Sequence, residues 1–565
     1  MSEHASVSNT IEAKVTGGHA VMAAVARSGV ETVFAIHGAH IEALFRASVD
    51  NSVRLIDVRH ESSAGFAAEA YARVRRGLGV ALVTAGPGFT NVMTSIANAF
   101  EDKTPVLYVT GSAHLREAET NALQAGIDQI AIARPVTKWA HRVTLTEQIP
   151  RMVCQAIRIA TSPPFGPVLL DIPMDVLQAL MPPGASNFPL AVEVPQHPDP
   201  QALEGAVALM TSAKRPVLMI GQGVAQVGAE EELLTFAQLW GAPVFVDGFA
   251  HGIFPSDHPL FGSSFYKLAE LAEAGRRPDV ILALGTRFGL TSGTMSDAAI
   301  PSDAKIIQID TDAKEIGRIR PVEIGMCSDP RYALRALIAQ LTDKNPNVHQ
   351  DWTRYVLDRL RARRQRLQLG LAEGGGRMHP LAACQAIVDA LPRDCILVSD
   401  GAETSHWLDE VVRQVTPRSF LPHGFFGCMG VGLGMAIGAK AAAPDRPVVC
   451  TTGDGSIGFA IAEFDTMVRH GLPIVVVVLN NRAWGSSVHF QERNSGPDRV
   501  HGTRLGAARY DEVAVALGGR GVRVTDVEAI GPALREALSS EVPTCINVEV
   551  ELSGAPPNMS LFGRR

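Results

Sequence analysis

The sequence predicts an α/β protein with three domains, each a parallel sheet flanked by helices. Short apolar runs alternate with helical patterns along the chain, which is typical of a parallel sheet that is covered on both faces. Two breaks rich in proline or glycine, PPGASNFPLAVEVPQHPDP at 182–200 and LGLAEGGGRMHP at 369–380, separate three blocks of this kind. The chain of 565 residues is long enough for each block to bury its own core.

Each block contains four apolar runs that we interpret as strands. The N-terminal domain, 11–181, has them in ETVFAIHG, GLGVALVTAGPG, TPVLYVTG and PVLLDIP. The central domain, 201–341, has them in RPVLMIGQGV, APVFVDG, PDVILALGTRFG and AKIIQID. The C-terminal domain, 378–550, has them in CILVSDGAE, RPVVCTTGDGS, LPIVVVVLNN and TCINVEVE, and a tail at 553–565 follows it.

The first and third blocks also resemble each other. GVALVTAGPGFTNVMTSIANAFEDKTPVLYVTG and PVVCTTGDGSIGFAIAEFDTMVRHGLPIVVVVLNN both read as a strand, a threonine, a glycine-rich turn, a helix, a proline and a second strand. This internal repeat indicates two related α/β domains with a third domain between them.

Composition argues against several classes of partner. A formal net charge of −7 and a pI near 6.2 indicate no surface for nucleic acid or anionic membrane, and no uncharged apolar run approaches the ~20 residues of a membrane span. The N-terminus shows no secretory signal pattern. The seven cysteines are scattered without a C-x-x-C pair, which predicts reduced thiols and a cytoplasmic protein.

The strongest chemical signal is the stretch GDGSIGFAIAEFDTMVRHGLPIVVVVLNN, from Gly453 to Asn481. It places Asp454 after one strand and Asn480 and Asn481 at the end of the next, and asparagine is a poor strand former. Carboxylate and amide oxygens at adjacent strand ends suit a Mg²⁺ ion that completes its shell with phosphate oxygens and water. We therefore expect both asparagines to serve a metal. The alternative is a tight turn followed by a polar strand exit.

This arrangement resembles the thiamin diphosphate motif, and the order of the blocks resembles the pyruvate-oxidase-like group of that family. The resemblance implies a pyrimidine-binding, a central and a diphosphate-binding domain. It implies that Asp454, Asn481 and the carbonyl of Ala483 hold Mg²⁺. Residues that would hold the diphosphate are Gly401, Ala402, Glu403, Gly455 and Ser456. Met429 would wedge the cofactor into its bent form, and the Gly427 carbonyl would accept from its amino group.

The resemblance also assigns a catalytic acid. Glu61, in VRHESSAGFAAEAYAR, matches the family glutamate that hydrogen-bonds the aminopyrimidine ring. In this family the pyrimidine site faces the diphosphate site of another subunit, so a homodimer is the minimum active unit and a homotetramer is the expected assembly. The alternative for Glu61 is a surface carboxylate beside Arg59.

Within the family, IHGAHIEALF, TAGPGFTNV, NALQAGIDQ, TKWAHRV, MGVGLG, AWGSSVHFQ and GTRL resemble benzaldehyde lyases and bacterial 2-hydroxyacyl-CoA lyases. This implies that His37 and Gln124 line the reaction centre as polar partners. A loop histidine with a purely structural role is the alternative for His37, and His40 carries the same two interpretations.

Three departures distinguish the two kinds of lyase. Benzaldehyde lyases carry large aromatic residues where this chain has Ser405 and Met174, so aromatic ring-stacking surface is lost. Glu492 lies where they have a neutral residue and would handle a substrate hydroxyl proton. An ion pair with Arg493 is its alternative. In the related oxalyl-CoA decarboxylases the C-terminus folds over a CoA substrate, which implies that the tail at 553–565 is an active-site lid, and Arg564 and Arg565 suit phosphate recognition. A disordered tail is the alternative.

The central domain carries a weaker nucleotide signal. Gly221, Gly223 and Asp310 form a nucleotide-style strand edge, and the acyl-CoA members of the family bind an ADP moiety there. Arg158 matches a residue that contacts it. The resemblance thus implies ADP, or the nucleotide part of CoA, as a further ligand of this domain.

Taken together, these signals predict a thiamin-diphosphate- and Mg²⁺-dependent carbon–carbon lyase, reversible as a carboligase, that cleaves next to a 2-hydroxyl. The preferred substrate is a 2-hydroxyacyl-CoA, split into a ketone or aldehyde plus formyl-CoA. The alternative is cleavage of benzoin-like 2-hydroxy ketones. The remaining interpretations are a 2-keto acid decarboxylase, an acetolactate synthase, a flavin or nicotinamide oxidoreductase, and a non-catalytic binding subunit.

Overall fold

A computed structural model describes residues 15–117, 120–182, 188–190, 194–289, 292, 297, 299–344, 349–371, 378–557 and 559. These residues divide into two compact units. One unit contains the first sheet. The other contains the second and third sheets, together with the segments Glu69–Gly77 and Glu101–Lys103.

Eighteen strands of the described chain form three six-stranded sheets, and every strand pair is parallel. The first sheet consists of β1 (Thr32–Ala35), β2 (Arg54–Asp57), β3 (Gly79–Val83), β4 (Val106–Ser112), β5 (Trp139–Arg142) and β6 (Val168–Pro173). The second consists of β7 (Pro216–Ile220), β8 (Val244–Val246), β9 (Phe261–Ser264), β10 (Val280–Leu284), β11 (Lys305–Asp310) and β12 (Ile324–Cys327). The third consists of β13 (Ile396–Ser399), β14 (Phe420–Pro422), β15 (Val448–Gly453), β16 (Val475–Asn480), β17 (Arg520–Val524) and β18 (Thr544–Glu549).

Helices connect these strands, as parallel pairing requires. In the N-terminal domain they are α1 (Gly17–Arg27), α2 (Glu42–Asp50), α3 (Glu61–Arg75), α4 (Pro87–Glu101), α5 (Gln129–Ala133), α6 (Ile149–Thr161) and α7 (Met174–Gln178). The next are α8 (Pro200–Ser212), α9 (Gln222–Val227), α10 (Glu230–Trp240), α11 (Ala269–Glu273), α12 (Pro330–Leu341) and α13 (Gln350–Leu371). The C-terminal domain has α14 (Pro380–Ala390), α15 (Ala402–Asp409), α16 (Gly432–Ala442), α17 (Asp454–Ile457), α18 (Glu463–Arg469), α19 (Gly485–Ser495), α20 (Tyr510–Ala516) and α21 (Val527–Leu538).

The predicted fold class, three α/β domains with parallel sheets, is confirmed. The strand orders are β2-β1-β3-β4-β6-β5, β12-β11-β10-β7-β8-β9 and β14-β13-β15-β16-β18-β17. The first and third orders are the same when the strands are counted within each domain. The internal repeat seen in the sequence therefore corresponds to a repeated topology.

The helix α13 lies between the second and third predicted domains, 201–341 and 378–550. Its sequence is rich in arginine, so it lacks the continuous apolar stripe of a core helix. It is anchored by a few contacts instead. Trp352 is buried and its Nε1 donates to the Pro216 carbonyl at 2.9 Å, and Arg363 makes a bidentate ion pair with Glu410 at 2.6 and 2.8 Å.

No helix of the described residues is both long and apolar enough to cross a membrane. The loops that matter for chemistry leave the carboxyl ends of the third sheet, since ligands of parallel sheets bind at that edge. These loops follow β13, β15 and β16.

Candidate cofactor and active site

The two predicted metal ligands of the C-terminal domain meet at the edge of the third sheet. Asp454 begins α17 directly after β15, and Asn481 follows the neighbouring strand β16. The N–H of Ala483 donates to Asp454 Oδ2 and to Asn481 Oδ1, each at 3.1 Å. One backbone donor therefore brings a carboxylate oxygen and an amide oxygen to a common point.

A left-handed turn makes this convergence geometrically feasible. Arg482, between Asn481 and Ala483, has φ of 61°, which reverses the chain immediately after the strand. The hydroxyl of Tyr510 donates to the Asp454 carbonyl at 2.8 Å and holds the other side of the site. Burial, the largest cause, raises the pKa of Asp454 to about 7. A buried carboxylate of this kind is stabilised in its ionised form by a bound cation.

Asn480 does not share this role, so the expectation that both asparagines serve a metal is wrong. Its Nδ2 donates to the Ala508 carbonyl at 3.1 Å and to Asn547 Oδ1 at 3.2 Å. Successive side chains of a strand point to opposite faces, and the polar contacts of Asn480 lie with these two residues rather than with the Asp454 loop. Of the two asparagines, only Asn481 lines the cavity that Asp454 also lines.

That cavity has the features of an anion cradle. It measures about 150 Å³ and is lined by the loops after β13, β15 and β16. Gly401 has φ of 91°, and a Cβ built on it would lie 3.2 Å from Gly453 N and from Ser456 Oγ. The Ser456 hydroxyl is buried and has no hydrogen-bond partner in the described chain. A diphosphate would satisfy this hydroxyl and the free N–H groups that begin α15.

The remaining predicted cofactor residues lie around the same cavity or on the loop that leads to it. Ala402, Glu403, Met429 and Gly455 line it, and Gly427, with φ of 73°, turns the loop that leads to Met429. A Cβ on Gly455 would lie 2.6 Å from the Trp484 ring. The glycine at this position is therefore required by packing against Trp484 as well as by any ligand.

A chain of charged side chains leads from this cavity to a larger one. The Oε1 of Glu403 lies 3.6 Å from Nε2 of His489, and Nδ1 of His489 lies 3.7 Å from Oε2 of Glu492. The carboxylate of Glu403, followed by that of Glu492, raises the pKa of His489 above its ordinary value. Glu492 thus has His489 as a charged neighbour, whereas an ion pair with Arg493 was the alternative to its predicted catalytic role.

The larger cavity measures about 810 Å³. Glu492, His489 and the exposed ring of Phe490 contribute from α19. Arg363 and Arg366 contribute from α13. The tail supplies a further part of the lining through Gly554, Ala555, Pro556, Pro557 and Met559. Arg564 and Arg565 lie outside the described residues.

The N-terminal domain gathers its predicted residues around the carboxyl edge of the first sheet. Glu61 begins α3 and accepts from Asn91 Nδ2 at 2.9 Å. Gln124, with φ of 62°, packs against Gly86. His37 is more exposed, and its Nε2 lies 2.6 Å from Glu42 Oε2.

Comparison with known proteins gives matches along the chain. The C-terminal TPP binding domain of thiamine pyrophosphate enzymes matches residues 400–548, the N-terminal TPP binding domain matches 15–132, and the central domain matches 203–337. The chain is a thiamine pyrophosphate enzyme. Thiamine pyrophosphate is the thiamin diphosphate expected from the sequence, and the three matched domains follow the predicted order.

Three relatives cover this enzyme almost completely. A probable acetolactate synthase of Mycobacterium bovis is 34% identical over 536 residues, 94% of this chain and 95% of the relative. The oxalyl-CoA decarboxylase of Escherichia coli is 30% identical over 551 residues, 95% of both chains. An acetolactate synthase large subunit of Corynebacterium glutamicum is 32% identical over 542 residues, 93% of this chain and 85% of that one.

The nucleotide signal of the central domain has another explanation in this thiamine pyrophosphate enzyme. The N–H of Gly223 donates to the Gly285 carbonyl at 2.8 Å, and a Cβ on Gly221 would lie 2.5 Å from the same oxygen. These glycines allow two strand ends to pack closely. Asp310 is buried and accepts from the Asp312 N–H at 2.9 Å. These contacts and the matched relatives give no support for ADP. Arg158 lies exposed on α6.

Sequence reasoning missed several residues of the site. Trp484 packs on Gly455, and His489 lies between two carboxylates. Outside both cavities, His423, whose pKa burial lowers to about 4, follows β14 and lies 3.3 Å from Ser405 Oγ. The quoted motif AWGSSVHFQ contained the first two. A motif identifies residues, but only the folded chain tells which of them face the cavity.

Proposed function

We propose that this enzyme is a thiamin-diphosphate- and Mg²⁺-dependent lyase that splits a 2-hydroxyacyl-CoA into a ketone or aldehyde and formyl-CoA. The observation that carries the proposal is the large cavity beside the cofactor cradle. It has a carboxylate, Glu492, on one wall and the C-terminal tail on another. An acyl-CoA needs both an acid–base group at its reacting end and room for a long thioester arm.

The residues of the C-terminal domain fit the cofactor. Asp454, Asn481 and the Ala483 carbonyl would hold Mg²⁺, since hard oxygen ligands suit that ion. Ser456 and the backbone N–H groups at the start of α15 and α17 would hold the diphosphate. Asp454 and Asn481 are already oriented by one donor, so little rearrangement is needed on binding.

Thiamin diphosphate, when bound, supplies a nucleophilic thiazolium carbon and an electron sink for the carbanion left by carbon–carbon cleavage. Glu492 would accept the proton of the substrate hydroxyl as the carbon–carbon bond breaks. His489 would hold Glu492 toward the cavity. The formyl carbon of formyl-CoA would gain one proton in place of the proton that the hydroxyl loses, so the reaction would neither gain nor lose a proton overall.

The proposed active site needs a second copy of the chain. Glu61 of one protomer would meet the diphosphate pocket of its partner, so the minimum active unit is a homodimer and the expected assembly a homotetramer. Large apolar side chains near the cofactor loops are exposed, with Phe459 at 66% and Phe426 at 48%. Such a surface on a single chain is typical of a subunit interface.

Two other activities have specific support. The 34% identity to the probable acetolactate synthase of Mycobacterium bovis favours condensation of 2-keto acids. The resemblance of AWGSSVHFQ and MGVGLG to benzaldehyde lyases favours a benzoin-like hydroxy ketone. Ser405 argues against the latter, because its hydroxyl hydrogen-bonds with Ser399 at 2.8 Å and offers no aromatic surface.

The test compares three substrates on the loaded enzyme. We expect 2-hydroxyisobutyryl-CoA to yield acetone and formyl-CoA, with benzoin and pyruvate turned over at least about tenfold more slowly, the factor that 1.4 kcal/mol provides. Preferential release of benzaldehyde from benzoin would replace the proposal by its lyase alternative. Preferential formation of acetolactate from pyruvate would replace it by the synthase.

The tail provides an independent test. Deleting the residues after Gly554 removes one wall of the large cavity. We expect KM for the CoA substrate to rise about tenfold, a loss of about 1.4 kcal/mol, while thiamin diphosphate affinity is unchanged. Calorimetric titration of the cofactor gives the control. Equal KM values for the two chains would remove the tail from the substrate site.

A further inference from the structure

A metal ligand of the amide type must be held in one of two orientations. Asn481 carries an oxygen that binds a metal and a nitrogen that does not. A rotation of its amide by 180° would exchange the two and place an NH₂ group where Mg²⁺ needs an oxygen. The Ala483 N–H favours the productive orientation by donating to Oδ1 at 3.1 Å, but this N–H is shared with Asp454.

Glu403 contacts the other end of the same amide. Its Oε2 accepts from Asn481 Nδ2 at 3.3 Å. A carboxylate is an acceptor only, so the rotated amide would place two oxygens against each other. The interaction is buried, since Glu403 is only 8% exposed, and an unmatched polar contact costs more in such surroundings.

The carboxylate of Glu403 is itself held on several sides. Trp407 Nε1 donates to its Oε1 at 3.4 Å, and His489 Nε2 lies 3.6 Å from the same oxygen. A Cβ built on Gly485 would lie 1.2 Å from Oε2. The carboxylate therefore fills the space that a side chain at position 485 would need. With these neighbours it has little freedom to move away from Asn481.

We propose that Glu403 is a positioning residue that fixes the Asn481 amide with its oxygen toward the metal. The diphosphate role expected for position 403 uses the backbone, which a side-chain substitution leaves in place. The proposal concerns the metal site alone and does not depend on which substrate the enzyme cleaves.

The test measures Mg²⁺ affinity rather than turnover. Metal-free protein with a fixed excess of thiamin diphosphate is titrated with Mg²⁺ in a calorimeter. Glu403→Gln retains an oxygen acceptor and should bind Mg²⁺ within about threefold of the parent chain. Glu403→Met has a similar shape but no acceptor, and should bind about 10- to 100-fold more weakly, the usual effect of removing a group that orients a metal ligand.

A second background separates orientation from general damage to the fold. Aspartate at position 481 carries an oxygen at both places, so Asn481→Asp needs no orienting partner. In that background Glu403→Met should leave the Mg²⁺ affinity unchanged or improve it by removing a like charge. Glu528→Gln, which removes an exposed carboxylate of the same domain, is the matched control and should match the parent.

Two outcomes would overturn the proposal. One is an equal loss of Mg²⁺ affinity from Glu403→Met with asparagine and with aspartate at position 481, since a carboxylate cannot be misoriented in this sense. The other is unchanged affinity of Glu403→Met in the parent chain. Circular dichroism of each variant without metal verifies that the compared proteins are folded.

Discussion

The first and third sheets have the same strand order, yet the loops at their carboxyl ends carry different chemistry. After the first strand of each sheet the chain reads HGAH at 37–40 and DGAE at 400–403. The two glycines and alanines correspond, while a histidine stands where the other loop has an acid. A shared scaffold thus presents imidazoles on one sheet and carboxylates on the other.

The contacts of these loops differ accordingly. His40 is buried and its Nδ1 lies 3.2 Å from Thr84 Oγ1, so it fastens its loop to the next one in the N-terminal domain. Asp400 accepts from the N–H groups of Gly430 and Gly432 at 3.2 and 3.1 Å. It thereby fixes the loop that carries Met429 into the cofactor cavity.

The loops that follow β3 in the first sheet and β15 in the third sheet differ in the same way. The first sheet has TAGPG, in which Gly88 approaches Glu61. The third has TGDGS, which supplies Asp454 and the buried Ser456 hydroxyl. The comparison teaches that repeating a fold does not repeat a site. The third sheet carries the residues expected to hold a metal and an anion, and the first sheet carries the acid expected to act on the pyrimidine.

The largest expected effect follows from removing the Asp454 carboxylate beside the third sheet. Asp454→Ala should lower Mg²⁺ affinity more than about 100-fold, beyond the 10- to 100-fold typical of residues behind the ligands, and turnover should be lost with it. Asn480→Ala, one residue before the other ligand, should keep the affinity within about threefold because Asn480 bonds to Ala508 and Asn547. Mg²⁺ titration of both variants measures the contrast. Equal losses would show that the two strand positions share the site after all.

The next effect concerns the acid of the first sheet. Glu61→Gln should lower kcat about 100-fold, within the range of general acid–base catalysis, while Mg²⁺ and thiamin diphosphate still bind. Glu147→Gln, an exposed carboxylate of the same domain, should match the parent in steady-state kinetics. Full activity of Glu61→Gln would refute its catalytic role.

Mixing variants sharpens this second prediction. A dimer of one Glu61→Gln chain and one Asp454→Ala chain has one site with both acids intact. Co-expression of the two should restore about a quarter of the parent activity for random pairing in a symmetric dimer. Failure to recover any activity would argue that both acids belong to one protomer's site.

The smallest effect is a pH dependence of stability. Burial, the largest cause, raises the pKa of Asp400 to about 6 from its ordinary value of 3.8. Between those values the folded chain keeps a proton that the unfolded chain releases, so stability falls as pH rises and levels off above pH 6. Relative to Asp400→Asn, the parent should lose about 1.4 kcal/mol between pH 5 and pH 7.5.

Chemical denaturation at the two pH values measures this difference. Asp389→Asn, an exposed carboxylate on α14, is the matched control, and its difference from the parent should be the same at both pH values. A parent that gains stability relative to Asp400→Asn over this range would contradict the raised pKa.

The sequence determined the centre of each domain. All twelve strands predicted from apolar runs occupy the four inner positions of their sheets. An inner strand of a parallel sheet is buried on both faces, so most of its residues are apolar and the strand appears in the sequence as a nearly continuous apolar run. All six residues of β16, for example, are buried. The GDG and NN motifs could also be read locally. They end β15 and β16, which are consecutive in the chain and paired in the sheet, so Asp454 and Asn481 lie at the same edge.

Tertiary structure decided the edges. The six strands that the sequence did not reveal are β2, β5, β9, β12, β14 and β17, and each lies at the edge of its sheet. Edge strands are short and open to solvent on one side; in β17 only Val524 is buried. Their pairing rests on neighbours far away in the chain, which no local pattern can reveal.

The same limit applied to the site. Three features of the site depend on residues brought together over long sequence distances. Glu403 contacts the Asn481 amide, Asn480 contacts Ala508 and Asn547, and the tail lines a cavity together with Glu492. Residue types could be read from the sequence because chemistry limits which of them bind a metal or a phosphate. Their orientation could not, because packing against the rest of the domain sets it.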